Sequence, residues 1–455
     1  MRRTAVMVLC VFLVTGYAFA RRVKTDYSIV DYGAKSDTSY LSTIAIQKAI
    51  DACAAAGGGR VIVPAGQFKT GSLFLRDFVY LYLSPGATLF GSKNVADYIP
   101  VQPSYVSLRT CSSTIQLIYG ENLHNTGICG EGTIDGQGSV FIKKAETDEG
   151  LTRPHLIRFI TCTDITVRDV TLRNSGCWMQ HYLACDNVKL CGQRIYNRAT
   201  KNNDAVDIDG CHNVIVSDIV SDTDDDGITL KSTSPRLTEN VTITNCVVSS
   251  HCNGIKMGTE TNGGFRNITI SNCVVTPSDN QEGKIFGYME GISGISLEIT
   301  DGGVMDGVAI SNIVIRGTKA PLFVWLGNRA RPYAEGVKVE KVGELKNVSI
   351  SNVHAVGASP MGCMMVGLPD HPIENIRLSD VFIQFKGGVE TSMLKVEPKE
   401  SPESYPEATM FGMLPAYGFF IRHAKGIVLD NVELTTDEPD SRPAVVKVDA
   451  EVDIR

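Results

Sequence analysis

The chain has 455 residues, of which 43% are hydrophobic and 20% are charged, a composition that excludes a disordered protein. Its formal charge of −7 argues against nucleic acid as a partner, because such partners require a cationic surface. The length allows either several domains or one elongated repeat domain, since repeat proteins grow by adding units.

The first twenty residues have the pattern of a signal peptide. Arginines at positions 2 and 3 are followed by an apolar run over residues 5–14, and Ala-Phe-Ala ending at Ala20 supplies small residues for cleavage. The run is too short to cross a bilayer permanently, and no other segment is long and apolar enough to do so. We therefore expect cleavage after Ala20 and a mature protein that is secreted or periplasmic.

Residues 40–56 predict an amphipathic helix, with AIQKAIDACAAA starting at Ala45 and three glycines following from Gly57. The segments after Arg60 and Val79 alternate apolar and polar residues as strands do. A helix at this position is expected to cover the open end of a solenoid, which would otherwise expose unpaired backbone groups.

One short pattern returns from residue 164 onward: an apolar alternation, a bend of Ser, Asn or Asp, and a second apolar pair. Its starts are separated by 23, 26, 27 and 27 residues, and then by 40, 40, 28 and 51. These starts are Asp164, Asn187, Asn213, Asn240, Asn267, Gly307, Asn347, Asn375 and Gly426. Alternation indicates strands, and about 25 residues make one coil of a parallel β-helix. The leucine spacing of a leucine-rich repeat is absent, and β-branched residues dominate.

The predicted fold is therefore all-β, a right-handed single-stranded parallel β-helix with an N-terminal capping helix. Residues 21–455 are expected to form this one domain. The longer spacings indicate loops inserted between coils, such as 276–306 and 384–425, which would shape a groove.

The thirteen cysteines lie beside the repeated strands rather than in close pairs. This placement favours buried free thiols that pack as small apolar side chains, and it leaves one or two disulfides open. No CxxC pair is present, so the pattern does not indicate a zinc site.

Residues 202–227 contain eight aspartates and neither lysine nor arginine. Such crowding raises carboxylate pKa values and opposes folding. A simple alternative is that these aspartates are solvated turn residues, which suits Asp218 and Asp222 best. Asp204, Asp225 and Asp226 are the candidates for catalysis.

Three segments of this region align as consecutive coils, starting at Asn203, Asp225 and Cys252. The inward columns are Val206, Ile228 and Ile255, then Ile208, Leu230 and Met257, with Asp207, Thr229 and Lys256 pointing outward. Asp204 then stacks on Asp226, and Asn203 on Asp225, about 4.8 Å apart. Three carboxylates in so small a patch predict one that holds a proton beside one that is ionised, as glycoside hydrolysis requires.

Several motifs together resemble glycoside hydrolase family 28, the polygalacturonase and rhamnogalacturonan hydrolase group. The resemblance covers residues 27–434. The motifs are DYGAKSD from Asp31, GGGRVIVPAG from Gly57, GEGTIDGQG from Gly130, RPHLIRF from Arg153, NSGCWMQH from Asn174, NNDAVDID from Asn202 and DDGITLKS from Asp225. The first ones are shared widely among pectin-acting β-helices, whereas the last two are fairly specific to this family.

The resemblance implies a secreted enzyme that cleaves α-glycosidic bonds in a galacturonate-containing pectic polysaccharide, with inversion and without a metal or other cofactor. Asp225 would protonate the leaving oxygen, and Asp204 and Asp226 would together activate water on the opposite face. Substrate contacts are expected from Asn203, Lys231, Lys256, His251, His181 and Trp178, of which Trp178 could equally be structural. We further expect a monomer that has no membrane span and binds an acidic polysaccharide or oligosaccharide.

The sequence departs from the family pattern at two places. Where the family has Gly-His-Gly, this chain has SHCN from Ser250, and strict register puts Cys252 rather than His251 in the expected column. His251 could still reach the site if the bend is one residue wider, and otherwise it is a plain loop histidine. The family's Arg-Ile-Lys strand, which binds a galacturonate carboxylate, is replaced by SLE from Ser296. Cations elsewhere could compensate, namely Lys231, Lys256 or Arg266. These changes favour a rhamnogalacturonan-type or exo-acting enzyme with a neutral sugar on one side of the scissile bond.

Two other classes of function remain open. A pectate-lyase-like enzyme would use the aspartates to bind Ca²⁺ and an arginine or lysine as base. It would release unsaturated products and lose activity with a chelator. A non-catalytic carbohydrate-binding β-helix would be indifferent to replacement of Asp225 by asparagine.

Overall fold

The computed structural model describes residues 24–141, 151–280, 282–283, 285, 287–394 and 398–455. The expected signal peptide, residues 1–20, lies outside the described residues. Within the described residues, one α-helix and five short 3₁₀ segments accompany a structure that is otherwise made of β-strands. The 3₁₀ segments are Ile29–Tyr32, Val95–Asp97, Leu108–Thr110, Gly138–Val140 and Thr391–Met393.

The strands follow one another in short steps along the chain. The N-terminal strands are β1 (Asp26–Ser28), β2 (Gly59–Val63), β3 (Gly66–Thr70), β4 (Leu73–Phe74), β5 (Val79–Leu83), β6 (Ala87–Gly91), β7 (Gln116–Glu121), β8 (His124–Gly130), β9 (Thr133–Asp135), β10 (His155–Ile160), β11 (Thr163–Arg168) and β12 (Thr171–Arg173). The central strands are β13 (Gln180–Leu183), β14 (Asp186–Cys191), β15 (Arg194–Asn197), β16 (Val206–Asp209), β17 (His212–Ser217), β18 (Val220–Thr223), β19 (Ile228–Ser232), β20 (Thr238–Thr244), β21 (Val247–Ser250) and β22 (Asn253–Thr261). The C-terminal strands are β23 (Gly264–Thr276), β24 (Gly291–Ile299), β25 (Val304–Arg316), β26 (Thr318–Leu326), β27 (Glu344–Ala358), β28 (Cys363–Val366), β29 (Ile373–Gly387), β30 (Phe419–Glu438) and β31 (Val445–Ile454).

These strands pair in parallel with the strands one coil away, so that three ladders run along the molecule. One ladder joins β11, β14, β17, β20 and β23, and a second joins β12, β15, β18 and β21. The third joins β10, β13, β16, β19, β22 and β24 and carries the aspartate region. The architecture is a parallel β-helix, and the prediction from the repeat is confirmed.

The predicted capping helix is α1 (Thr43–Ala55), which packs against β1 and β2 at the N-terminal end. Its buried residues recur at helical spacing and form one face: Ala45, Ile46, Ala49, Ile50 and Cys53. The helix therefore covers the apolar interior of the first coil, as expected for the end of a solenoid. Among the described residues, no helix combines the length and the apolar character that crossing a bilayer requires.

Asparagines at the repeat starts form a ladder of side-chain hydrogen bonds. Asn213 donates to Asn187, Asn240 to Asn213, and Asn267 to Asn240, over 3.0–3.2 Å. Each has a left-handed backbone with φ near 56°, which asparagine tolerates better than most residues. The repeat begins with asparagine because this side chain suits the bend and also links neighbouring coils.

Most of the described cysteines are buried thiols outside disulfides, as predicted. Twelve cysteines lie among the described residues; they form no disulfide there, and ten of them are buried. Cys162, Cys185 and Cys211 stand in one column, since each directly precedes a paired position of β11, β14 and β17. These small side chains fill the corner where one strand turns into the next.

Two of the segments that leave the regular coils lie near the aspartate region. Residues 277–290 connect β23 to β24, and residues 388–418 connect β29 to β30. We call the second segment the C-terminal insert. Both lie within the loops predicted from the long spacings, although β24 and β25 already occupy part of the first predicted loop. Both contribute to the face of the third ladder, where the aspartates lie.

Candidate active site

The predicted register of the aspartate region is confirmed. Strand β19 pairs with β16 and β22 so that the columns are Val206, Ile228 and Ile255, then Asp207, Thr229 and Lys256, then Ile208, Leu230 and Met257. The first and third columns point into the core. Asp204 and Asp226 each lie two residues before their strand, and Ala205 N donates to Asp226 O over 3.1 Å. The backbone therefore stacks Asp204 on Asp226.

Asp225 is the most accessible of the three aspartates, being partly exposed while the other two are buried. Oxygens of Asp225 and Asp226 and the thiol of Cys252 lie within 4.8 Å of one another. Burial and the neighbouring carboxylate of Asp226 raise the pKa of Asp225 to about 6. Asp225 therefore keeps a proton at mildly acidic pH and faces solvent with it.

Asp226 has the opposite character. Burial alone would raise its pKa, but Lys256, Lys231 and a hydrogen bond from Asn253 lower it below the ordinary value. Lys256 Nζ lies 3.2 Å from Asp226 Oδ2, and Asn253 Nδ2 donates to Asp226 Oδ1 over 2.8 Å. The carboxylate is thus held ionised and oriented next to a protonated neighbour.

Asp204 is buried and lies on the coil that precedes the coil of Asp226. Burial, with Asp207 and Asp225 nearby, raises its pKa well above the ordinary value. Its Oδ1 has no hydrogen-bond partner among the described residues. A buried, unsatisfied oxygen beside Asp226 is a suitable acceptor for a water or a substrate hydroxyl.

The two predicted lysines lie on the outward face but are covered by neighbouring side chains. Lys231 Nζ lies 3.5 Å from Asp207 Oδ1 and 3.6 Å from Glu260 Oε2. Burial would lower its pKa, but these acids outweigh that effect and raise it above the ordinary value. Lys231 and Lys256 therefore stay charged beside the aspartates.

Trp178 and His181 are buried in the wall next to Lys231. Arg109 Cζ and Lys231 Nζ lie 4.5 and 4.7 Å from the Trp178 ring centroid, so cations already occupy positions over this ring. His181 Nε2 is 3.1 Å from Asp209, and Arg158 Nε donates to its Nδ1. Burial lowers the pKa of His181 to about 4, so this ring is neutral. Both side chains shape the wall and are enclosed rather than open to solvent.

Asn203 and His251 also lie next to the aspartates without facing the opening. Asn203 is fully buried and bonds the backbone of Ser175, Cys177 and Thr200, which braces the turn before Asp204. His251 stacks on Asp224 rather than on Asp225, with its Nδ1 3.1 Å from Asp224 Oδ1.

The departures from the family pattern have clear structural counterparts. Cys252 precedes Asn253, and β22 places this pair over Asp225 and Asp226, as strict register predicts. Ser296 pairs with Lys256, and Ser296 Oγ donates to Glu298 over 2.6 Å. Arg266, considered as a compensating cation, lies on the first ladder and pairs with Glu239 over 2.8 Å. It does not belong to this site.

Sequence reasoning missed several groups that reach the site from distant segments. Arg109 pairs with Glu260 over 2.6 Å, and Arg331 Nη1 lies 3.8 Å from the same carboxylate. The C-terminal insert supplies Tyr405 and Glu407 beside Lys256. No periodic pattern marks these residues. The sequence indicates this group only through Glu260, a charged residue within an otherwise regular coil.

A cavity of about 260 Å³ opens beside Asp225, on the side away from Lys231 and Glu260. Its wall contains Asp224, Lys201, Arg198 and, from the segment between β23 and β24, Asn280. Because the ladder strands are parallel, this cavity lies toward their starts, whereas Lys231 and Glu260 lie toward their ends. Asp225 therefore stands between two regions of the surface, this cavity and the cationic side chains around Glu260.

Comparison with known proteins identifies similar sequences and folds. The profile of the glycosyl hydrolases family 28 matches residues 53–402. A probable polygalacturonase of Vitis vinifera is 32% identical over 215 residues, covering 45% of this chain and 44% of the relative. An exo-poly-alpha-D-galacturonosidase of Dickeya chrysanthemi is 32% identical over 249 residues, covering 44% of this chain and 41% of the relative.

A family 28 exopolygalacturonase of Yersinia enterocolitica has a similar solved structure. It matches with a TM-score of 0.71 at 19% identity, covering 94% of this chain and 78% of that one. The likeness extends the shared β-helix along nearly the whole chain. The matched segments of the two curated relatives span less than half of their own lengths.

Proposed function

Because the chain belongs to glycosyl hydrolase family 28, we propose that it hydrolyses α-glycosidic bonds in a galacturonate-containing pectic polysaccharide. The observation that carries the proposal is the contrast between Asp225 and Asp226. The pKa of Asp225 is raised to about 6, so this carboxyl keeps its proton at mildly acidic pH. The pKa of Asp226 is lowered below the ordinary aspartate value, so this carboxylate is ionised. A proton donor and a base at one site are the two groups that glycoside hydrolysis needs.

In the proposed mechanism, Asp225 is the general acid. Its partly exposed carboxyl faces the opening between the cavity and the cationic side chains around Glu260, where a glycosidic oxygen can reach it. Proton transfer to that oxygen lets the leaving sugar depart as a neutral alcohol while positive charge develops on the other sugar. The ionised Asp226 nearby stabilises that charge.

Asp226 is the proposed base, with Asp204 as its partner. A water held between them would lose its proton to Asp226 and attack the anomeric carbon from the face opposite the leaving oxygen, which inverts the configuration. The free Oδ1 of Asp204 would fix this water. Asp226 is the proposed proton acceptor of the pair because its pKa is lowered by Lys256 and Lys231.

A cationic wall beside the aspartates favours a sugar that carries a carboxylate. Lys231, Arg109 and Arg331 surround Glu260, and Arg331 has 45% of its side chain exposed. Arg331 is thus the most accessible cation of this group. We propose that it meets the substrate carboxylate, while Trp178 and Lys231 support the wall behind it. Glu298 in place of a cation would favour a neutral sugar on the side of Lys256.

Product analysis tests this function. The protein is incubated separately with polygalacturonan and rhamnogalacturonan, and products are identified by mass spectrometry and by proton NMR of the new reducing end. Hydrolysis with inversion gives saturated products, first released as the β-anomer. Unsaturated, ultraviolet-absorbing products whose formation stops with a chelator would instead indicate a Ca²⁺-dependent lyase. Binding of either polymer without cleavage would indicate a non-catalytic module.

Export and assembly are a further part of the proposal. We propose that residues 1–20 direct the chain to the periplasm or the cell exterior, and that residues 21–455 act there as one monomeric domain. The apolar run and the small residues before position 21 support this. The mass of the mature protein and its size in solution check both statements.

A further inference from the structure

Glu407 is a buried acid that lies outside the regular coils. It lies in the C-terminal insert, between β29 and β30, and only 5% of the residue is exposed. Its neighbour Ala408 is completely buried in a small apolar cluster with Phe323 and Trp325. This anchoring places the Glu407 carboxyl firmly against β22.

Glu407 reaches the proposed base through one amide. Its Oε1 lies 3.3 Å from Nδ2 of Asn253, and the same Nδ2 donates to Asp226 Oδ1 over 2.8 Å. Asn253 Oδ1 accepts from Ser293 Oγ over 2.6 Å. With its oxygen fixed by Ser293, the amide turns its two N–H groups toward Asp226 and Glu407.

Burial favours a neutral Glu407, with the nearby acids Glu298 and Asp226 adding to this effect. Lys256 is the cation nearest to Asp226 on this side, and it also lies 3.9 Å from Glu298 and in the field of Glu407. Burial, opposed by Lys256, raises the pKa of Glu407 to about 8. A neutral Glu407 can hold the Asn253 amide without competing with Asp226 for Lys256.

We propose that Glu407 is a positioning residue for Asp226, acting through the amide of Asn253. The inference rests on the proposed function of Asp226 as base. Fixed by Glu407 and Ser293, Asn253 directs one N–H to Asp226, orients this carboxylate and helps to keep it ionised. The charged or titratable groups that face Asp226 are Asp204, Asp225, Lys231, Cys252, Lys256, Glu298, Tyr405 and Glu407.

Two substitutions separate this role from simple packing. Glu407→Ala removes one acceptor, so the Asn253 amide loses one of its two anchors and its hydrogen bond to Asp226 becomes less well oriented. We expect kcat on the pectic polymer that the wild type cleaves to fall about tenfold, with KM nearly unchanged. The acidic limb of the pH profile should move up by about one pH unit, because Asp226 becomes easier to protonate.

Glu407→Gln keeps the shape, the neutral charge and the acceptor oxygen. We expect its kcat and its acidic limb to match those of the wild type. Glu403→Gln, at an exposed position of the same insert, is the matched control and should also match. Melting temperatures of all variants are measured alongside, so that a folding defect in the alanine variant is recognised.

The outcomes are distinct. An alanine variant with wild-type kcat and an unmoved acidic limb overturns the proposal, as does a glutamine variant that is folded but as impaired as the alanine variant. If the alanine variant does not fold, the glutamine variant and its pH profile decide. A wild type that cleaves no pectic polymer refutes the proposed function instead, a result visible before any variant is compared.

Discussion

Asp225 combines partial exposure with a raised pKa, and this combination makes it the proposed proton donor. Asp225→Asn removes the proton and leaves the shape intact. We expect kcat to fall by about 10²–10⁴-fold, the usual contribution of a general acid, with no loss of thermal stability. Initial rates on the preferred pectic polymer and a melting curve measure the two effects.

Asp218→Asn is a matched control for this variant. Asp218 belongs to the same aspartate-rich region, but it is exposed at a turn with φ of 57°, where asparagine is equally well tolerated. Its replacement should leave kcat unchanged. If both variants lost activity alike, the effect would be general to the region and the role of Asp225 would be refuted.

The pH profile follows from the same residues. The acid works only while protonated, so kcat/KM should fall as the pH rises through about 6, the pKa of Asp225. The base works only while ionised, so activity on the acid side should persist to below the ordinary aspartate value of 3.8. Rates measured across pH 3–8 should therefore give an acidic optimum. An optimum in the alkaline range would contradict the assignment.

Lys256 affects both limbs of the pH profile, because it lowers the pKa of Asp225 and the pKa of Asp226. Lys256→Met keeps the stem and removes the charge. We expect both limbs to move to higher pH, the acidic one by about a unit or more, since Asp226 loses a cation at 3.2 Å. If the maximal rate fell but both limbs of the pH profile stayed at the same pH, Lys256 would contact substrate without setting these pKa values.

At the scale of elements, the asparagine ladder ties neighbouring coils together. Asn240→Ala removes the hydrogen bonds to Asn213 and Asn267 and puts an alanine at a left-handed position. We expect a loss of about 2–3 kcal/mol, from about 1 kcal/mol per hydrogen bond and a similar cost for the backbone. A lower melting temperature with unchanged kcat would show this.

Asn240→Gly separates the two contributions. Glycine adopts the left-handed conformation without strain but still lacks the side-chain hydrogen bonds. Its melting temperature should lie between those of the wild type and the alanine variant. Equal melting temperatures for the two variants would show that backbone strain contributes nothing at this position.

The coil register was predictable because it depends on local patterns. Apolar alternation fixes which side chains point inward, and one-coil spacing then fixes which residues stack, as for Asp204 on Asp226. The same reasoning put Cys252 over Asp225 and excluded His251 from that column. Neither conclusion requires knowledge of contacts distant along the chain.

The walls of the groove were not predictable in this way. Arg109 lies in the 3₁₀ segment Leu108–Thr110 and pairs with Glu260, which is 151 residues away, while Glu407 contacts Asn253 across 154 residues. Such contacts depend on how irregular segments fold back over the third ladder, and no periodicity encodes that path. Trp178 was predicted at the site, but only the structure shows cations over its ring.

The main apolar core of the described residues runs from α1 to β30. The reactivity of the cysteine thiols shows how well solvent is excluded from this core. Of the cysteines described, Cys111 is exposed and Cys191 partly exposed, while the other ten are buried. Under native conditions we expect rapid alkylation of Cys111, slower alkylation of Cys191 and protection of the rest, because the reagent cannot reach a buried thiol. Mass spectrometry of timed samples identifies each labelled site.

Denaturant should release the protected thiols in groups that follow the coils. Each coil of a solenoid contacts only its neighbours, so Cys162, Cys185 and Cys211, on successive coils, should lose protection together. Cys363, nearer the C-terminal end, need not follow them, since repeat proteins can open from their ends. Fast native labelling of the central three, or a mass deficit that reveals disulfides, would contradict the interior seen here.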